Sequence, residues 1–94
     1  MDKKDFITII EKLDDKFDTH KFIEKYISLF EKKYVDLLYL NIESKNGIFK
    51  AAHSQIGKFL SNNSPYFNIE KEDKGISENI KKYDSENRKW RKIL

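Results

Sequence analysis

Apolar residues recur along this chain at the three- and four-residue spacing of an α-helix, and that recurrence limits the fold more than anything else in the sequence. Phe6, Ile9, Ile10, Leu13 and Phe17 form the first stripe, which predicts an amphipathic helix over 3–15. Phe22, Ile23, Tyr26, Ile27, Leu29 and Phe30 form a second, broader face. Asp18 or Thr19 stands where an N-cap would open that helix. A rigid continuation would drive Lys33 into the apolar face, so a break is expected near Lys32-Lys33. The third stripe, Phe49, Ala52, Ile56, Phe59 and Leu60, falls within about 100° when wound as a helix, predicting one over 49–61. Pro65 ends it and biases Ser64 toward an extended shape.

Between these helices Tyr34–Ile42 is apolar on nearly all sides. Leucine richness and length favour a helix here, with Asn46-Gly47 closing it. The competing reading is a hairpin around Asn46-Gly47, with Leu38, Leu40 and Ile42 alternating as a strand would. Farther on, Tyr66–Ile69 and Ile76–Ile80 flank a charged run ending in Gly75, which predicts a two-stranded ribbon over 66–80. Asp84-Ser85-Glu86-Asn87 reads as a capping cluster for a last helix reaching about Ile93. The expected fold is mainly α, one compact domain over 1–94, with four or five helices and the late β ribbon.

Ile, Leu, Val and Phe supply 27 of the 94 residues, above the roughly 20% below which a chain stays disordered, so one small core is affordable. There is no Cys, which excludes a disulfide scaffold and thiolate chemistry. No apolar run approaches the roughly 18 residues of a membrane span. Met-Asp-Lys-Lys-Asp-Phe has no apolar leader core, and a cytoplasmic location is the expectation.

Catalytic constellations are missing. His20 and His53 are the two histidines, and no His pair has ligand spacing. His53 falls at the edge of the 49–61 apolar arc, where packing of its ring is the expected role. Ser54 points about 100° away from it and makes no dyad. Asp2, Asp5, Asp14, Asp15 and Asp18 lack the spacing of a calcium loop and read as solvated acids. The expectation is a non-enzymatic binding module with no metal, cofactor or small-molecule substrate.

Charge distribution suggests what such a module binds. Residues 1–43 carry 8 Lys against 10 acids, whereas 44–94 carry 11 Lys and Arg against 6. From Ser44 through Ile69 there is no Asp or Glu. The 49–61 helix, with Lys50, would present Ser54, Gln55, Lys58 and the following Asn62 outward, side chains able to donate to phosphates or, for Gln and Asn, to read adenine. The basic end adds Lys81, Lys82, Arg88, Lys89, Arg91 and Lys92. In a terminal helix Arg88, Arg91 and Lys92 would form one outward stripe, with Trp90 and Ile93 docking the opposite side. Tyr66 and Tyr83 stand beside basic residues and could stack on bases. The order of helices followed by a ribbon resembles a winged-helix layout, with 49–61 as recognition helix and 66–80 as wing. The resemblance lies in element order and implies DNA or RNA as partner. The alternative partner is a protein, as for an adaptor or inhibitor, or a second copy of the chain. Val35 and Tyr39 would then be the exposed apolar contacts of Tyr34–Ile42.

Overall fold

Asp2 opens the first helix, its carboxylate accepting the Lys4 backbone N–H at 2.8 Å, and α1 runs Lys3–Glu11. Phe6, Ile9 and Ile10 turn inward from it. The computed structural model describes residues 1–72, 75–78 and 84–93. α1 ends four residues before the expected boundary at 15. Acidic side chains disfavour a helix C-terminus, and Lys16–Asp18 is drawn instead into a short strand, β1. Phe17 is therefore buried from a strand and not from the helical stripe.

Asp18 caps α2 (Thr19–Leu29), accepting the Lys21 N–H at 2.8 Å. The chain then breaks at Phe30 (φ −128°, ψ 50°), and α3 follows at once over Glu31–Leu40. The break comes two or three residues before the expected site. It keeps the Phe30 ring packed against the core and turns Lys33 outward, where its ammonium meets the Asp5 carboxylate. Tyr34–Leu40 is thus helical, and the hairpin reading of this segment is overturned. Asn46-Gly47 does not close α3, which ends at Leu40 and is followed by turns. Gly47, at φ 100°, instead opens α4 (Ile48–Asn62), a backbone angle that side chains rarely tolerate. Ala52, Ile56 and Leu60 are the buried face of α4.

The end of the chain departs furthest from expectation. Ile69–Lys71 forms β2, Gly75–Glu78 β3, Asp84–Asn87 β4 and Lys89–Lys92 β5. β2 does not pair with β3, so the expected ribbon of 66–80 is not the one that forms. β3 pairs with β4, and β2 and β1 both pair antiparallel with β5 in a sheet ordered β1-β5-β2. No terminal helix exists over 85–92. The reason is Trp90: between two strands, opposite both Phe17 and Lys71, its ring becomes 1% exposed while Lys89 and Arg91 face solvent. Burial of so large a side chain outweighs the local capping preference of Ser85-Glu86-Asn87.

The molecule is mainly helical, with four helices among the described residues, and compact. Its Cα radius of gyration is 12.8 Å, close to the ~12 Å expected for this chain length. Phe6 sits at the centre of the core, its ring 4.8 Å from those of Phe22 and Phe59 and 5.7 Å from Phe67. α1, α2, α4 and the loop before β2 therefore meet on one side chain.

The sheet is joined to the helices at Thr19. Its hydroxyl accepts the Trp90 indole N–H at 3.1 Å and donates to the Arg88 carbonyl at 3.1 Å, and its backbone N–H reaches the same carbonyl at 3.0 Å. Thr19→Val keeps the volume but leaves the indole N–H without its acceptor, and a loss of about 1–3 kcal/mol is expected in urea denaturation. Trp90→Ala should cost about 3–5 kcal/mol in the same measurement.

Candidate nucleic-acid interface

α4 holds its outer face still because its inner face is committed. Ala52, Ile56 and Leu60 pack into the core, and the Asn63 side chain donates to the Phe59 carbonyl at 2.9 Å to finish the helix. Lys50, Ser54, Lys58 and Asn62 follow at intervals of four along the opposite side, and all are exposed. At that spacing they form one stripe. No carboxylate lies between Ser44 and Ile69, and neither Lys50 nor Lys58 has an ion-pair partner among the described residues.

Gln55 is exposed but already engaged. Its amide and that of Asn41 hydrogen-bond reciprocally, at 3.0 and 3.1 Å, and Asn41 also donates to the Leu37 carbonyl at 2.9 Å. This amide pair fastens α4 to the end of α3, so Gln55 serves as a tie between helices before it can serve as a reader of bases. A second tie lies one turn away. The Tyr34 hydroxyl and His53 Nε2 are 2.7 Å apart, and the His53 ring also packs against Phe49. His53 is half-buried, as its position at the edge of the apolar arc implied.

The basic end of the chain is arranged differently from the stripe expected of a helix. Arg88 is half-buried and donates to the Glu72 carbonyl at 3.2 Å. Arg91 is ion-paired with Glu70 on the neighbouring strand. The Lys92 ammonium donates to the Leu13 carbonyl at 2.6 Å. Strand alternation separates what helical winding would have aligned, and these three side chains brace the sheet. Lys89 is exposed. Lys81, Lys82 and Tyr83 lie outside the described residues. Tyr66 is exposed, with the Lys3 ammonium 4.5 Å from its ring centre.

The acidic side chains near the start are also accounted for locally: Asp2 and Asp18 cap helices, and Asp5 meets Lys33. No group of three or more His, Cys, Asp or Glu able to hold a metal occurs among the described residues. An open groove of about 480 Å³ runs between the α1–β1 turn and β5, and its rim mixes Asp14, Asp18 and Glu72 with Lys16, Lys21 and Lys89. Such a balanced rim does not favour a polyanion. The stripe on α4 has no acid near it in sequence. No helix among the described residues is long and apolar enough to cross a membrane.

In comparisons with known proteins, no family model, curated sequence or solved structure matches the chain.

The tyrosines and the lysine behind this site give a pH signature. Burial raises the Tyr34 hydroxyl above its ordinary value. Burial, and then the nearby Asp5 carboxylate, raises Tyr26, with Lys33 acting in the opposite sense. The hydrogen bond to Asp5 raises Lys33. In each case the folded protein keeps a proton that the unfolded chain gives up at lower pH, so stability is fully present below about pH 10 and falls as pH climbs past it. Urea midpoints measured across that range should decline. The Tyr26→Phe/Tyr34→Phe double variant should show a shallower decline, retaining the part that belongs to Lys33.

Proposed function

We propose that this chain is a DNA-binding module that presents the outer face of α4 to a duplex. The observation that carries the reading is the stripe Lys50, Ser54, Lys58 and Asn62: exposed, free of acidic neighbours in sequence, and held on a fifteen-residue helix whose other face is buried. Lysines supply phosphate contacts and counterion release, while Ser and Asn can bond to phosphates or base edges. A rigid helix suits the wide major groove of B-form DNA. The deep, narrow major groove of A-form RNA does not admit one, so duplex RNA is the poorer fit.

A winged-helix arrangement agrees with this reading. α1, β1 and the following helices precede a terminal antiparallel pair, and β1 packs against β5 on the edge opposite β2. The wing would then be built from β2, β3, β4 and β5, with α4 before it as the recognition helix. α3 departs from a three-helix plan, as an additional helix between α2 and α4.

Binding to a duplex DNA of mixed sequence, followed by fluorescence anisotropy over a series of salt concentrations, tests the proposal. Affinity should fall steeply with salt. Lys50→Ala/Lys58→Ala should reduce the log–log slope by about 2 units, at ~0.9 per phosphate contact. The same double variant should keep its urea midpoint, because both side chains are exposed. Absence of binding at low salt, an unchanged slope in the double variant, or equal affinity for the matching RNA duplex would each contradict it.

A further inference from the structure

We propose that Asn46 is a site of spontaneous deamidation, and that its product places a carboxylate at the head of α4. The reaction needs a free asparagine amide and a following backbone nitrogen that can reach its Cγ. Asn46-Gly47 meets both conditions. Asn46 is exposed in the turn that leads into α4, and its side chain has no hydrogen-bond partner among the described residues. Gly47 has no Cβ to stand in the way. Its N–H is held by a hydrogen bond to the Ser44 carbonyl at 3.3 Å, longer than an ordinary N–H···O contact. Every other asparagine is followed by a residue with a side chain: Ile after Asn41, Asn68 and Asn79, Asn after Asn62, Ser after Asn63, Arg after Asn87. Three of them are also engaged, Asn41 with Gln55, Asn63 with the Phe59 carbonyl and Asn87 with the His20 N–H.

Water is the one co-reactant. The Gly47 nitrogen loses its proton and bonds to the Asn46 Cγ, the Cγ–Nδ2 bond breaks, and the side-chain nitrogen leaves as ammonia. Water then adds across one of the two C–N bonds of the succinimide ring. Opening at the side-chain carbonyl gives aspartate, and opening at the main-chain carbonyl gives isoaspartate. Either product is negatively charged at neutral pH. Residues 44–69 hold no other acid, and Lys45 and Lys50 are exposed on either side of the reacting pair. Lys50 is close by: a Cβ built on Gly47 would stand 4.0 Å from the Lys50 Cβ. The new carboxylate therefore sits beside the first lysine of the outer stripe and offsets its charge. The helix itself does not suffer from aspartate there, because negative charge suits a helix N-terminus. The effect on binding rests on the DNA-binding reading, whereas the modification does not. Offsetting Lys50 should lower the log–log salt slope by about 1 unit.

The test ages the full chain in mildly alkaline buffer at physiological temperature, with samples digested by trypsin and read by mass spectrometry. Cleavage after Lys45 and Lys50 isolates residues 46–50, in which Asn46 is the one asparagine. That peptide should gain the mass of an NH2-to-OH exchange before any other asparagine peptide does, and more slowly in mildly acidic buffer. Asn46→Gln keeps the amide but needs a larger ring, and it should stay unconverted over the same period. A 46–50 peptide that does not change, or that another asparagine peptide outpaces, overturns the site. Fluorescence anisotropy with duplex DNA reads the consequence. Aged wild type and fresh Asn46→Asp should both bind severalfold more weakly than fresh wild type, while aged Asn46→Gln should bind as fresh wild type does. Conversion with unchanged affinity overturns the effect on α4. A fresh chain that binds no DNA removes the DNA-binding reading and that effect with it, and the mass readout still decides the site.

Discussion

The bond from the Trp90 indole to Thr19 ties together parts of the chain 71 residues apart, and the rest of the architecture depends on it. Thr19 is the first residue of α2, so whatever holds it also sets the direction of that helix. Its backbone N–H and its hydroxyl both go to the Arg88 carbonyl, and the next N–H, of His20, goes to the Asn87 side chain at 3.0 Å. The first turn of a helix has N–H groups without helical acceptors. Here Asp18, Arg88 and Asn87 supply three acceptors, two of them from the β4–β5 junction, so α2 and that junction are locked into one geometry. With Trp90 almost fully enclosed at the same point, hydrogen bonding and apolar burial reinforce each other.

From this joint the remaining placements follow. α2 brings Phe22 and Tyr26 to the Phe6 ring, and Phe59 of α4 and Phe67 of the loop close round it. α4 is then fixed on a second side by the Gln55–Asn41 amide pair and by Tyr34 with His53. The outer stripe of α4 is presented by a helix with little freedom to rotate. That is the condition a recognition surface needs, because a loosely held helix would lose binding free energy in becoming ordered. On α3 the same ties use up one side and leave Val35, Tyr39 and Leu40 with nothing to cover them.

α1, α2 and α4 were legible in the sequence because each carries enough turns for its period to show, whereas α3, apolar on nearly all sides, left a hairpin in competition with the helix. The core positions Phe6, Ile9, Ile10, Phe22, Ile23, Tyr26, Ile56 and Leu60 follow from spacing alone. So does the outer stripe Lys50, Ser54 and Lys58, while the exposure of Val35 and Tyr39 follows from Tyr34–Ile42 holding more apolar side chains than one stripe facing a small core can absorb. The strands were not legible. β1 and β2 are three residues long and β5 four, too short for alternation to stand out. Lys89-Trp90-Arg91-Lys92 fits a helical stripe as well as a strand, and only the pairing of Trp90 with Phe17 and Lys71 decides between them. Local capping signals in Asp84–Asn87 pointed the wrong way for the same reason. Arg88, Arg91 and Lys92 were therefore assigned to one displayed stripe, when two of them hold backbone carbonyls and one an acid on the neighbouring strand. The role of Gln55 likewise depends on Asn41, fourteen residues away, a distance at which neither period nor motif gives a signal.

Amide and side-chain chemical shifts of the isotope-labelled chain, followed while duplex DNA is added at low salt, test the central claim most directly. If α4 is the reading surface, the largest changes fall on Lys50, Ser54, Lys58 and Asn62, while the Trp90 indole N–H and the Phe6 ring stay in place. Shifts confined to Val35, Tyr39 and Leu40, or no shifts at any DNA concentration, would contradict it.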